Sequence, residues 1–187
     1  VTQADAFNTD AFPSYLNDRS GANVYGGVWL TDYVQMAAIW RQAVMDRFIA
    51  MVQALGAWGA NKPYFEGVQF EEMAWYFPPN PIDPQFSDAA TLDQMLRLLP
   101  AARAALSTKL ITTFFQWPVD LGRISTLLAS MVTNKIGYGT SDAVTTDTYM
   151  DQVMRGAGGQ YGTTDYRDIL PMTPHSEYPG FSGASTM

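Results

Sequence analysis

The single histidine of the chain, His175, stands near groups with which it could form a catalytic triad. Asp168 precedes it, and Ser182 and Ser185 follow it, so one C-terminal stretch holds an acid, a base and a nucleophile. A hydrolase serine of this kind usually occupies a Gly-x-Ser-x-Gly turn, and neither serine does. We therefore assign no catalytic residue, and we expect His175 to be exposed.

Metal-binding side chains are too few, or too far apart, for the common metal centres. A tetrahedral zinc site needs several imidazoles or thiolates, whereas this chain has one histidine and no cysteine. Asp142, Asp147 and Asp151 lack the spacing of a calcium-binding EF-hand loop, so we expect them to flank and cap a helix. The sequence predicts no metal site and no cofactor.

Two adjacent glutamates, Glu71 and Glu72, are the clearest acidic pair. One of them could approach Asp83 or Asp88 in space and form the two-carboxylate site of a glycosidase. The alternative, which the sequence favours, places all four carboxylates on a solvated surface.

The stretch 178–186 reads Tyr-Pro-Gly-Phe-Ser-Gly-Ala-Ser-Thr. It resembles the Tyr-Pro-Ser-Gly-His-Ser loop of vanadium-dependent haloperoxidases and related acid phosphatases, which holds an oxyanion on backbone amides. The residues that would hold the anion by this resemblance are Ser182, Gly183, Ser185 and Thr186. Ala184 replaces the family's acid–base histidine, and the family's upstream Lys and Arg-Pro motif is absent. An anion in this loop would therefore lack a nearby cation.

The composition suggests a chain with much of its surface covered by neighbours. Only 16% of its 187 residues are charged, against about 25% in a typical domain, and there are three lysines and four glutamates. Interface cores are depleted in Lys and Glu and enriched in aromatic residues, Met and Arg. The alternative is the compositional bias of a GC-rich genome, which also favours Arg over Lys.

Charge and hydropathy exclude two further classes of protein. The net charge of −7, without any basic run, argues against a nucleic-acid scaffold. No apolar stretch is long enough for a transmembrane helix. The chain begins with Val1 and not with Met, so we expect a processed end or an internal fragment.

Apolar residues at three- and four-residue spacing predict most of the structured part of the chain to be helical. The predicted helices cover 31–55, 87–117 with an end or a kink at Pro100, 118 to a closing Gly137 or Gly139, and about 145–155. The segment 65–77 is predicted as a short helix or a strand, with the helix favoured. Gly56 is placed to end the first helix, and Ser87 to cap the second. The predicted fold is therefore all-α, an irregular bundle of four to five helices with long, aromatic-rich, non-helical arms at both ends.

We divide the chain into an N-terminal arm at 1–30, a helical domain at 31–155 with a Pro-rich connector at 78–84, and an irregular C-terminal arm at 156–187. Aromatic arms of this kind are buried when subunits reach over one another in a closed shell. The aromatic residues expected at such an interface are Phe7, Phe12, Tyr15, Tyr25, Trp29, Tyr178 and Phe181.

We interpret the chain as a structural protein that self-associates into a large oligomer, namely a viral capsid (coat) protein or a segment of one, located in the virion. Its partners would be copies of itself or sister chains, with no specific nucleic-acid site and no membrane. The alternative is a fragment or accessory subunit of an enzyme that carries the degenerate loop at 178–186. A helical bundle that binds a small ligand or pigment is a third possibility.

Overall fold

The structure is a computed structural model that describes residues 3–5, 13–16, 25–30, 34–70, 83–114, 121–140, 165–166 and 169–174. The chain forms two compact units, Val1–Phe65 with Trp75–Ser107, and Glu66–Ala74 with Thr108–Met187. The sequence-based division into two arms and a helical domain stays a prediction.

The first unit contains a three-stranded antiparallel sheet and two helices. The strands are β1 (Gln3–Asp5), β2 (Val28–Leu30) and β3 (Val34–Ala37), in the order β1-β3-β2. A short 3₁₀ turn covers Ser14–Leu16, and the helices are α1 (Gln42–Gly59) and α2 (Asp88–Ala105). The central strand β3 pairs with both β1 and β2.

Helices α1 and α2 pack closely through their apolar faces. The buried apolar side chains are Val44, Met45, Phe48 and Val52 on α1, and Met95, Leu98, Leu99 and Ala102 on α2. A Cβ atom at Gly56 would lie 2.3 Å from the carbonyl oxygen of Ala105. Gly56 is therefore required for the close approach of the chain, and it lies inside α1 and does not end it, contrary to the prediction.

The start of α2 confirms the predicted cap. The Oγ atom of Ser87 accepts a hydrogen bond of 3.0 Å from the backbone N–H of Ala90. Asp88 lies in the first turn, where its charge suits the helix dipole. Pro100 lies within α2, so the helix does not end there.

The second unit contains a four-stranded parallel sheet. Its strands are β4 (Gly67–Phe70), β5 (Leu110–Phe114), β6 (Gly137–Thr140) and β7 (Met172–Pro174), in the order β4-β5-β6-β7. The helix α3 (Leu121–Asn134) links β5 to β6 and buries Ile124, Leu127, Leu128 and Met131. It ends at Asn134, and the next residue, Lys135, has a left-handed φ of 53°. The N–H of Ile136 donates a hydrogen bond of 3.0 Å back to the carbonyl of Met131.

The all-α prediction is wrong, because the described residues form a mixed α/β fold with three helices and a parallel sheet. Strands β3 and β5 lie inside segments predicted to be helical, and Gly137 and Gly139, expected to close a helix, belong to β6. Strand β4 lies in the segment 65–77, where the strand was the less favoured alternative. The central strand β5 is buried on both faces, so it shows no two-residue period that would distinguish it from a helix. The predicted helix at 145–155 lies outside the described residues.

The capsid interpretation was based on the composition, on the aromatic-rich arms and on an all-α fold. The all-α fold is wrong and nothing in the described residues indicates a capsid or a virion, so neither is proposed further. Self-association as such is a separate prediction.

Candidate functional site

The four parallel strands end at one edge of their sheet. Because β4 to β7 run in the same direction, their last residues lie along this edge, each within one register position of the end of the neighbouring strand. We call this the carboxyl edge, defined by Phe70, Phe114, Thr140 and Pro174. In open parallel sheets, ligands bind in the crevice outside the carboxyl ends of the strands. The carboxyl edge is therefore the candidate site.

A row of side chains crosses the sheet at the level of the last residue of β4, which is one residue before the end of β5 and two before the end of β6. Phe70, Thr113 and Tyr138 are register partners on β4, β5 and β6, so they share one face of the sheet. All three are buried, Thr113 and Tyr138 completely. The Oγ1 atom of Thr113 finds no hydrogen-bond partner among the described residues. The middle of the row therefore holds a buried hydroxyl whose bonding capacity is unused in the described part of the chain.

On the opposite face of the sheet, the residues next to this row are polar or small and closely packed. Gln69, Thr112 and Gly137 are register partners there, and Thr112 is buried whereas Gln69 is exposed. A Cβ atom at Gly137 would lie 2.9 Å from Cγ2 of Thr112 and 2.8 Å from the carbonyl oxygen of Pro171. A glycine is needed at this position because its neighbours leave no room for a side chain.

Asp83 carries the densest polar network of the described residues. Its carboxylate accepts hydrogen bonds from Trp40 Nε1 at 2.8 Å, from Arg41 Nε at 2.9 Å and Nη2 at 3.0 Å, and from the N–H of Gln85 at 3.0 Å. Burial raises the pKa of Asp83, but the donors Arg41, Gln85 and Trp40 outweigh it and hold the pKa below its ordinary value. Asp83 is completely buried. Its hydrogen bonds to Trp40 and Arg41 connect the segment that precedes α2 to the segment that precedes α1.

This network excludes Asp83 as the catalytic partner of Glu71 or Glu72. A general acid or base must reach a substrate, whereas the oxygens of Asp83 are fully engaged inside the protein. Asp88 lies in the first turn of α2, where its charge suits the helix dipole. Sequence reasoning could not identify this role, because Asp83 and Arg41 are 42 residues apart.

Two of the seven aromatic residues predicted at an interface lie side by side. The rings of Tyr15 and Tyr25 have centroids 5.2 Å apart, and Arg47 Nη2 donates 3.1 Å to the hydroxyl of Tyr25. That hydrogen bond raises the pKa of Arg47. Tyr15 is 48% exposed, so this cluster of Tyr15, Tyr25 and Arg47 faces solvent at the N-terminal part of α1.

The structure describes one of the other predicted residues by its strand pairing, and the rest lie outside the described residues. Trp29 lies on β2 opposite Met36 of β3. The candidates outside the described residues are Phe7, Phe12, Glu71, Glu72, Asp142, Asp147, Asp151, Asp168, His175, Tyr178, Phe181, Ser182, Gly183, Ala184, Ser185 and Thr186. The interface assignment and the anion-binding loop therefore stay predictions.

Two general properties complete the description. Within the described ranges, no three His, Asp or Glu side chains gather as they would around a metal ion. None of the helices in those ranges has the length and apolar character needed to cross a membrane.

Comparisons with protein-family models, with curated proteins and with solved structures found no match to this chain.

Proposed function

We propose that this chain binds a small polar ligand at the carboxyl edge of its parallel sheet, and that carboxylates following the strands act on it as acid and base. The observation that carries the proposal is the strand order β4-β5-β6-β7, with all four strands parallel. Because all four strands are parallel, every chain segment that follows a strand begins at the same edge. Folds of the α/β class place their ligand-binding and active sites at this edge.

The sequence supplies reactive and aromatic residues directly after these strands. Outside the described residues, and within three positions of a strand end, stand Glu71 and Glu72 after β4, Gln116 and Trp117 after β5, Ser141 and Asp142 after β6, and His175 after β7. Consecutive Cα atoms are about 3.8 Å apart, so covalent connection alone keeps these residues within about 12 Å of the strand ends.

The spacing of the strands is compatible with a two-carboxylate site that hydrolyses a glycoside. Strand β5 separates β4 from β6, and neighbouring strands lie about 4.8 Å apart, which sets β4 and β6 about 9.6 Å apart. Inverting glycosidases hold their two carboxyl groups about 6.5–9.5 Å apart, with a water between them. Glu71 or Glu72 after β4 and Asp142 after β6 would form such a pair. Trp117 follows the intervening strand in the sequence.

Thr113 gives independent support for a ligand site near this edge. A buried hydroxyl without a partner costs about 1–3 kcal/mol relative to a satisfied one. Its position one residue before the end of β5 therefore favours a role in binding over a role in stability. We expect Thr113→Val to raise the free energy of unfolding, as measured by urea denaturation, and to weaken ligand binding. A loss of stability would show that the hydroxyl has a structural partner.

The test is hydrolysis of a panel of 4-nitrophenyl glycosides, with binding of mono- and disaccharides followed by saturation-transfer NMR. We expect Asp142→Asn, and one of Glu71→Gln and Glu72→Gln, to lower the hydrolysis rate at least about 100-fold, the usual size of a general acid–base contribution. The matched control is Asp93→Asn, an exposed carboxylate on α2, which should leave the rate unchanged. Binding without hydrolysis would indicate a ligand-binding protein that does not hydrolyse glycosides. The absence of both binding and hydrolysis would refute the proposal.

Self-association is a second candidate function, and a different observation favours it. Helix α1 presents Met51 and Trp58 to solvent with 48% and 54% of their surfaces exposed. Exposed Met and Trp residues on one helix are typical of a protein-contact surface. Light scattering after size exclusion tests it directly, because a chain of 20.7 kDa that stays monomeric at every concentration does not self-associate.

A further inference from the structure

The charged residues near the strands of the parallel sheet are distributed unevenly between its two edges. Within three positions after a strand end, the sequence has four carboxylates and no lysine or arginine: Glu71 and Glu72 after β4, Asp142 after β6, and Glu177 after β7. Within three positions before a strand start, it has two lysines and one carboxylate: Lys109 before β5, Lys135 before β6, and Glu66 before β4. Because the strands are parallel, the first group is attached to the carboxyl edge and the second to the opposite, amino edge.

The next charged residues along the segments that follow the strands do not reverse this balance. The segment 71–82 after β4 contains no lysine or arginine. After β5 the first arginine is Arg123, in the first turn of α3, and Asp120 offsets its charge. After β6 the first basic residue is Arg155, which follows three aspartates. His175 after β7 is mostly neutral at pH 7. The chain attached to the carboxyl edge is therefore acidic at neutral pH.

This acidity acts on a ligand according to the charge of the ligand. Neighbouring strands lie about 4.8 Å apart, so the four strand ends span about 14 Å. A site surrounded by charge of one sign raises the local concentration of ligands with the opposite charge and lowers that of ligands with the same charge. The carboxyl edge therefore favours a cation over an anion.

Thr113 is a second, independent indication of a ligand at this edge. It is completely buried one residue before the end of β5, and its Oγ1 atom has no hydrogen-bond partner among the described residues. Its register partners, Phe70 and Tyr138, carry no charge. A hydroxyl oxygen can accept a hydrogen bond from an ammonium or a hydroxyl group, whereas an anion is held best by charged donors. The row around Thr113 therefore suits a neutral or cationic ligand.

We propose that the ligand of the carboxyl edge carries a positive charge, and that the substrate is a glycoside of an amino sugar whose amine is not acetylated. This inference rests on the proposed hydrolysis of a glycoside at that edge. The structure assigns Glu177 a role in specificity, because it follows β7 and is not part of the proposed acid–base pair after β4 and β6. Its negative charge favours the ammonium group of such a sugar.

Binding of glucosamine, glucose and glucuronate at pH 7 tests the inference, because these sugars are cationic, neutral and anionic. A unit charge about 10 Å away in water changes the affinity of an ion about twofold, so four carboxylates should change it roughly tenfold. We therefore expect glucosamine to bind roughly tenfold more tightly than glucose, and glucuronate roughly tenfold more weakly, in NMR titrations at about 0.01 M salt. The differences should disappear at about 1 M salt, where the screening length falls from about 30 Å to about 3 Å.

Charge reversal at each edge tests the role of Glu177. Glu177→Lys changes the charge at the carboxyl edge by two units, so it should weaken glucosamine binding about fourfold and leave glucose binding unchanged. The matched control is Glu66→Lys, which changes an exposed carboxylate before β4 and should affect neither sugar. In hydrolysis of 4-nitrophenyl glycosides, glucosaminides should have a higher kcat/KM than glucosides.

The outcomes separate this inference from the proposed function. Sugars that bind with equal affinity whatever their charge would overturn the inference and leave glycoside binding at the carboxyl edge standing. A preference for glucosamine that both substitutions change equally would refute the role of Glu177. If no sugar binds and no glycoside is hydrolysed, the proposed function fails and this inference fails with it.

Discussion

Removal of the Asp83 charge is the most direct test of how the first unit is held together. In Asp83→Asn the side chain keeps its shape, but Arg41 loses its bidentate partner while only 13% of its side chain is exposed. Removing one partner of a buried ion pair costs about 3–5 kcal/mol. The asparagine oxygen still accepts one hydrogen bond, and Arg41 reaches some solvent, so we expect a loss of about 2–4 kcal/mol.

Urea denaturation at neutral pH, followed by circular dichroism, measures this loss. A free energy change of 1 kcal/mol shifts the melting temperature of a chain of this size by about 2–4 °C, so a decrease of about 5–15 °C should accompany it. Asp93→Asn, which changes an exposed carboxylate on α2, is the control and should stay within about 0.5 kcal/mol of the native chain. A loss below about 0.5 kcal/mol in Asp83→Asn would refute the reasoning.

The pH dependence gives a second reading of the same contact. The pKa of Asp83 is lower in the folded chain than in the unfolded chain, so its contribution to stability is complete above the unfolded value of about 3.9. That contribution decreases as the pH falls from there through the lower folded pKa. Asp83→Asn should remove this part of the acid-induced loss of stability. An unchanged acid profile would show that another carboxylate is responsible.

Three further substitutions test local features by urea denaturation. Gly56→Ala places a Cβ atom 2.3 Å from the carbonyl of Ala105, so overpacking of about 1–3 kcal/mol should exceed the gain in helix propensity and lower stability. Ser87→Ala removes the acceptor for the N–H of Ala90 and should cost about 1 kcal/mol, whereas Ser87→Asp should retain the cap. Lys135→Gly relieves a left-handed φ of 53° and should raise stability by about 0.5–1 kcal/mol; a decrease would contradict the strain argument.

Helical periodicity predicted the parts of the fold that local chemistry determines. The cap at Ser87 needs only a hydroxyl and the next few residues, so it was readable from the sequence. The buried stripe from Val44 to Val52 also follows three- and four-residue spacing. Even there the start of α1 was misplaced, because Val34–Ala37 belongs to β3. The pairing of β3 with β1 and β2 is a long-range interaction, and the periodicity of the sequence does not reveal it.

The strands of the parallel sheet were missed for a related reason. They are three to five residues long, which is too short for a period to be read. In β5 the consecutive residues Ile111, Thr112 and Thr113 are all buried, so the strand reads as a continuous run. The β-branched content of that run was the available signal. Without these strands, Glu71 and Glu72 could not be recognised as residues that follow a strand end.

The two proposed sites coincide with places where the chain departs from what stability alone would favour. Thr113 is buried without a described partner, and Met51 and Trp58 are exposed although they are large and apolar. By contrast, Asp83 is buried with donors on each side of its carboxylate, as a structural ion pair should be. Sequences usually satisfy packing and polar bonding together, and departures tend to mark functional positions. The same comparison that excludes Asp83 from chemistry therefore directs experiments to the carboxyl edge and to the exposed Met51 and Trp58 on α1.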